Sequence, residues 1–391
     1  MRPDIKQDFS RFLNAVPGRL HMAAHSHHYW PDVTLDAHMQ AWTDAALHAD
    51  SKWDHVFGSL MPDVRRGLAR LLHLPSPDTL VFAQNTHEFV LRLLSCFAAD
   101  RPVRILTTDS EFYSFDRQIK RLEEEKLVTV TRIQTEPFAT FHSRFCEAAA
   151  TSDADMIFFS QVFFNSGFQA APLEEIIGAV KNDDAFVVID GYHGFMAIPT
   201  DLSRIHNRAF YIGGGYKYAM SGEGACFMHC PPGFGKRPRN TGWFAGFGTL
   251  PDAAQNKVPY GSDASRFAGA TADVSGLYRL RAVMAWLEQK KVTIHDIHTH
   301  AHHLQGQFVS GLPSLGHPAL RPENLLVPVH ERRRGNFLTF RTADAADICE
   351  CLRRNNVITD RRGDCLRFGF GPYHDAEDIR YLLEVIANHV C

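Results

Sequence analysis

The stretch 185-AFVVIDGYHGFMAIPTDLSRIHNRAFYIGGGYKYAMSGEGACFM-228 places an acid, Asp190, at the end of one apolar run and a lysine, Lys217, just after another. Phe186-Val187-Val188-Ile189 has the near-continuous, β-rich pattern of a parallel strand buried on both faces, and Asp190 stands where that strand should end. Phe210-Tyr211-Ile212 reads the same way and runs into Gly213-Gly214-Gly215, which predicts a sharp turn and room for a ligand before Tyr216-Lys217-Tyr218. In open α/β sheets ligands collect outside the carboxyl ends of the strands, so Asp190, His193 and Lys217 are expected to face one crevice.

Pyridoxal phosphate chemistry requires such an acid and such a lysine. The lysine holds the aldehyde as a Schiff base, and a carboxylate beside the pyridine nitrogen favours its protonated, electron-withdrawing form. On spacing alone the same residues also suit a strand-end aspartate that caps a helix and an ordinary glycine-rich loop.

Working outward, Leu80–Phe82, Val103–Thr107, Leu127–Ile133 and Met156–Ser160 read as further strands. Helices are expected between them, over 114–125, 138–150 and 172–181. This alternation predicts an α/β domain with a mostly parallel sheet. Asn85-Thr86-His87-Glu88 has capping-box spacing, and the free amides of a helix start bind phosphate well. Pro31 opens a predicted helix to about Lys52, with Leu35, Met39, Trp42 and Ala46 at helical spacing as core candidates; Phe57, Leu60, Met61, Val64, Leu68 and Leu71 mark a second amphipathic helix.

Downstream, residues 231–273 form a long aromatic loop region, the kind of segment that is usually functional. A helix over 274–291 leads to a segment, 323–391, that reads β-β-α-β-β-α, with strands at 325–329, 337–340, 357–359 and 365–368. The expected division is therefore a large domain over 1–273 and a smaller α+β domain over 274–391.

A formal charge of −3 over 391 residues, without a Lys/Arg block, excludes a strongly basic nucleic-acid footprint. The opening residues lack the apolar core of a signal peptide and no run has the length of a membrane span, so a cytoplasmic protein is expected. The eight cysteines form no Cys-x-x-Cys pair and read as reduced structural thiols. Histidines cluster at His21, His25, His27 and His28 and again at His295, His298 and His302. The first group reads as a wet pocket wall and the second as a solvated helix face; no metal site is expected.

Asp190-x-x-His193 followed by Gly215-Tyr216-Lys217-Tyr218 resembles kynureninases and, more broadly, class V aminotransferases of pyridoxal phosphate fold type I. Other segments resemble the same family in order: Ser26 before Pro31, Thr86, Phe112 with Ser114, Gly242-Trp243-Phe244, Arg266-Phe267 with Thr271, Arg334-Gly335, and Arg367 before Pro372-Tyr373. The resemblance implies Lys217 and Asp190 as catalytic residues. It implies cofactor contacts from Asn85, Thr86, Phe112, Asp190, His193, Tyr216, Lys217, Trp243 and Thr271, and substrate contacts from Ser26 and Arg367, the last gripping the α-carboxylate. Because the 266–271 element crosses to a neighbouring subunit in that family, a homodimer is implied. Phe115, Ala270 and Asn336 stand where the family has aspartate, threonine and serine.

The expected reaction is hydrolytic Cβ–Cγ cleavage of a kynurenine-type amino acid. A class V aminotransferase is the alternative, and a non-catalytic protein that keeps the fold as a binding module is the second. Cysteine desulfurase chemistry is disfavoured, since it needs a mobile-loop cysteine well before the arginine, and Cys365 is two residues from Arg367.

Overall fold

A computed structural model of the chain describes residues 5–252 and 258–390. Its strands are β1 (Leu20–His21), β2 (Leu80–Ala83), β3 (Val103–Thr108), β4 (Val128–Ile133), β5 (Met156–Ser160), β6 (Phe186–Asp190), β7 (Ala209–Gly214), β8 (Cys226–His229), β9 (Phe337–Arg341), β10 (Val357–Ile358), β11 (Asp360–Arg362) and β12 (Cys365–Gly369). Seven of them form one sheet in the order β2-β8-β7-β6-β5-β3-β4, in which only β8 runs antiparallel to its neighbours.

The apolar runs explain this sheet. Every residue of β5, β6, β7 and β8 is buried. Val187, Ile189 and Tyr211 pack into one core with the helices Met61–Leu72, Phe138–Thr151 and Ser275–Lys290. Phe186, Val188, Phe210 and Ile212 point the other way, into a second core with the helices Thr86–Leu94 and Tyr113–Glu124. A strand covered on both faces gains nothing from alternation, hence the continuous hydrophobicity.

A third core gathers Leu304, Phe308, Leu338, Phe340, Leu366, Phe368 and Leu382, joined by Leu20 and Met22 from near the N-terminus. Strand β1 pairs in parallel with β10, and β11-β12-β9 form an antiparallel sheet. The expected strand at 325–329 reduces to one bridge, Leu325 to Phe340, because the proline at 328 has no N–H to continue a ladder. Strand β11 was not expected.

Two other expectations are corrected. Leu35, Met39, Trp42 and Ala46 do not enter the core; the first three are 39%, 53% and 69% exposed on the helix Val33–His48, and Ala46 is exposed with them. That helix turns its small residues, Ala37 and Ala41, to the core, and it runs against Ser275–Lys290. His298 and His302 are not on a solvated face: they are half-buried, with His298 Nδ1 2.8 Å from Asn336 Oδ1 and His302 Nε2 3.3 Å from the Arg334 carbonyl. Among the described residues no group of three or more His, Cys, Asp or Glu is placed to hold a metal ion, and no helix is long and apolar enough to cross a membrane. Seven cysteines are free; Cys391 lies outside the described residues.

Candidate active site

The carboxyl ends of β7, β6, β5 and β3 lie side by side and carry, in that order, Lys217, Asp190, Ser160 and, just beyond β3, Glu111 and Phe112. Gly213 and Gly214 do not turn the chain as expected: they are the last two residues of β7, paired with Phe227 and Cys226, and the turn starts at Gly215. The space left by their missing side chains is filled from within. A Cβ on Gly214 would stand 2.6 Å from the Tyr192 hydroxyl and one on Gly215 would stand 2.1 Å from Ser221 Oγ. The glycines serve close packing, which seats Lys217 in the interior.

Lys217 Nζ lies 2.9 Å from His193 Nε2, donates to the His25 carbonyl at 3.1 Å and sits 5.5 Å from the centroid of the Phe112 ring. Among the described residues no carboxylate is within salt-bridge distance of it. Burial, reinforced by the charge of Arg367, lowers this amine to about 7. His193, buried beside it, is pushed well below the ordinary imidazole value by burial and by the lysine charge, so it accepts the ammonium proton at Nε2 as a neutral ring.

Asp190 ends β6, where its Oδ1 accepts from the Tyr192 N–H at 2.9 Å. No cation pairs with it among the described residues, and burial pushes its carboxyl up to about 6. Across β5, Ser160 is its register partner, and Ser160 Oγ donates to Glu111 at 2.6 Å. Glu111 is buried and pushed up to about 8, chiefly by burial, with the Asp190 charge adding to it. Phe115, the departure from the family pattern, is a core residue: its ring stacks on Phe158 at 3.7 Å in the second core.

Arg367, on β12, is 2% exposed. Its Nε donates to Asp360 Oδ1 at 2.8 Å, Nη2 donates to Oδ2 and Nη1 to the Phe164 carbonyl. His25 Nε2 donates to Asp360 Oδ1 at 2.8 Å, which fixes its tautomer. Burial would raise Asp360, but these partners hold it far below the carboxylate range. Ser26 follows His25 in a turn closed by a hydrogen bond from its own N–H to Ala23. Gly369 permits this docking, since a Cβ there would stand 2.3 Å from His25 Nδ1.

The remaining predicted residues stand apart from this cluster. Asn85 caps the helix Thr86–Leu94 through Glu88 N at 3.2 Å, at the same edge of the sheet. The box is half made, because the Glu88 carboxylate turns to Arg92 instead. Trp243 Nε1 donates to Thr271 Oγ1 at 2.9 Å, and its ring packs on Trp53 and Phe244. Tyr216 meets His27 edge-on at 5.4 Å. Arg334 is scaffolding: its guanidinium binds Gln305 and the carbonyls of Val329 and Glu331.

Sequence reasoning missed Glu111 and Asp360, and the wet pocket wall it expected at the first histidine cluster is corrected: His21, His25 and His28 are buried. A signal existed for Asp360: Gly363-Asp364 is a two-residue hairpin turn with glycine at a positive φ of 59°, and it sets Asp360 directly across from Arg367.

The donor set suits pyridoxal phosphate. A buried amine without a carboxylate partner, a buried carboxyl without a cation and an aromatic ring beside the amine are each incomplete alone, and one aldehyde-bearing cationic heterocycle satisfies all three.

Residues 23–382 match the aminotransferase class-V family. The chain is 24% identical over 344 residues to a kynureninase from Geobacillus thermodenitrificans, covering 85% of this chain and 78% of that one. It is 27% identical over 180 residues to an isopenicillin N epimerase from Streptomyces clavuligerus, covering 45% and 44%, so that match spans less than half of either protein. Among solved structures it resembles the cystine C-S lyase C-DES, with a TM-score of 0.81 at 18% identity over 96% of this chain and 99% of that one. The fold is that of pyridoxal phosphate enzymes of fold type I. The chain belongs to the class-V aminotransferase family and is a pyridoxal-phosphate-dependent enzyme.

Proposed function

We propose that this enzyme is a kynureninase-like hydrolase. It would cleave the Cβ–Cγ bond of an α-amino acid with a γ-carbonyl, adding water to give an aromatic acid and alanine. The observation that carries the reading is the similarity to a kynureninase along 85% of the chain. It is supported by the family-type residues Ser26, Phe112 and Trp243. Sulfur transfer is disfavoured: Cys365 is buried in β12 with its thiol pushed up to about 11, chiefly by burial.

Pyridoxal phosphate, when bound, supplies the sink for the electron pair left at Cα. Lys217 would hold the cofactor through its aldehyde, and Nζ, when free, would take the proton from the substrate Cα. An amine held near 7 is neutral often enough to act as a base and still returns its proton readily. Asp190 would hold the ring nitrogen, Phe112 the ring, and Asn85, Thr86, Tyr216, Trp243 and Thr271 the phosphate. His193 accepts from Lys217 and keeps the amine aimed. Ser26 and Arg367 bind the substrate.

The working unit is read as a homodimer. The outward stripe of Leu35, Met39 and Trp42 is a contiguous run of apolar side chains of the kind that marks an association surface. The proposed division of each subunit keeps a large domain over 1–273 and a linking helix with the small domain over 274–391, although the helix Ser275–Lys290 packs on the large-domain core and Leu20 and Met22 join the small one.

The test is incubation of the purified protein with kynurenine and 3-hydroxykynurenine, with alanine plus a keto acid as the transamination control and Lys217→Ala as the blank. Anthranilate-type product and alanine in equal amounts are expected from wild type, and neither product nor the visible cofactor band from the blank. Steady amino transfer without an aromatic acid would replace the hydrolase reading with the aminotransferase one.

A further inference from the structure

Asp360 and Arg367 are cross-strand partners in the β11–β12 hairpin, and the carboxylate occupies the Nε/Nη2 edge of the guanidinium through two parallel hydrogen bonds. This is the arrangement a guanidinium makes with any carboxylate. Nη1 is turned to the Phe164 carbonyl. The edge with which Arg367 would hold a substrate carboxylate is thus filled by a carboxylate of the same chain, next to the amine of Lys217.

Asp360 is not bound to Arg367 alone. His25 Nε2 donates to its Oδ1 at 2.8 Å, and Arg362 Nη1 lies 3.3 Å from its Oδ2. If Arg367 were taken by another anion, Asp360 would keep a cation and a hydrogen-bond donor, and its charge would not be stranded in the interior. The incoming carboxylate would take over the fork that Asp360 leaves. His25 sits on the same loop as Ser26, so the exchange is linked to the segment proposed to touch substrate.

We propose that Asp360 is a built-in competitor for the substrate α-carboxylate: it holds the two-toothed edge of Arg367 until a substrate carboxylate displaces it onto Arg362 and His25. The inference rests on the reading of Arg367 as the carboxylate clamp. It makes Asp360 a specificity residue, since an amine that lacks a carboxylate has no means of opening the fork.

The test is titration of the pyridoxal-phosphate-loaded protein with glycine and with methylamine, followed by visible absorbance, in wild type, Asp360→Asn, Arg367→Gln and the double variant. Removing an internal competitor raises the fraction of binding-competent protein, so Asp360→Asn should bind glycine about tenfold more tightly. Methylamine affinity should not change. Arg367→Gln should weaken glycine, and Asp360→Asn should restore nothing in that background. Unchanged or weaker glycine binding in Asp360→Asn, with Arg367→Gln still impaired, overturns the competitor and leaves the clamp standing. Full glycine affinity in Arg367→Gln overturns the clamp and the competitor together. Should Asp360→Asn not fold, a crystal structure of the wild-type holoenzyme with glycine decides: the glycine carboxylate on Nε and Nη2 with Asp360 moved away is expected, and an intact Asp360–Arg367 fork overturns the proposal.

Discussion

Two aspartates flank Lys217, and they are opposites. Asp190, at the end of a fully buried strand of the large sheet, has one backbone N–H and, among the described residues, no paired cation, and its carboxyl rises to about 6. Asp360, on an edge strand of the small sheet, has Arg367, Arg362 and His25 around it and lies far below the ordinary carboxylate range. Asp190 is buried and Asp360 half-buried, yet their charge states diverge, so burial alone does not set them. The difference lies in where the positive partner comes from. Asp360 receives its partner from the chain, whereas on the proposed function Asp190 would receive it from the cofactor. An uncompensated carboxyl at a strand end is what a binding site for a cationic heterocycle requires of the protein.

The contrast is broken most severely by Asp190→Asn. The amide keeps the Tyr192 hydrogen bond and the shape of the site but cannot hold a positive ring nitrogen. Removing one preorganised electrostatic partner costs on the order of 10²–10³-fold in turnover. We expect a loss of that size in kcat with the visible cofactor band retained. A variant with near wild-type kcat would remove Asp190 from the ring nitrogen.

The same two residues should act in opposite directions on the stability of the cofactor-stripped protein. The folded carboxyl of Asp190 is raised above its unfolded value, so between about 4 and 6 the native state binds more protons than the unfolded chain. Its ionisation therefore costs stability above pH 6, by about 3 kcal/mol, and this cost is relieved as pH falls toward 4. Asp190→Asn should gain most of that at pH 8 and nothing at pH 4. Asp360 is depressed, so its stabilisation is full above the unfolded carboxylate value and is lost only as pH falls below it. Asp360→Asn should lose about 3–5 kcal/mol at pH 8, because it strands the Arg367 charge in the interior. Urea denaturation of both variants at the two pH values measures this; equal signs at pH 8 would erase the contrast.

Much of this arrangement was legible in the sequence. The apolar runs at 186–189 and 210–212 fixed two central strands, and the acid and the lysine at their ends follow from that placement. Arg367 was legible through the residues around it. What escaped depends on pairing across distance. Asp360 looks like a surface charge in Asp360-Arg361-Arg362 until the turn at Gly363-Asp364 is seen to set it opposite Arg367. His25 looks like one histidine among four until the loop at 23–28 docks on Gly369. The stripe of Leu35, Met39 and Trp42 shows the reverse error: helical spacing identifies a face but not what covers it.

The smallest effect sharpens the comparison at the amine between the two acids. Lys217 is lowered to about 7, first by burial and then by Arg367, with Asp360 and Asp190 both opposing. Only the neutral amine attacks an aldehyde, so the rate at which cofactor-stripped protein takes up pyridoxal phosphate should rise with pH through about 7 and level off. An ordinary exposed lysine would make it climb toward 10.5. Asp360→Asn leaves the Arg367 charge unopposed beside the amine and should shift the midpoint downward, measured by stopped-flow absorbance at constant ionic strength. Asp190→Asn should shift it in the same direction, since either acid favours the ammonium. A midpoint near 10 in the wild type would mean that Lys217 is solvated in the stripped protein and would overturn the buried, lowered amine.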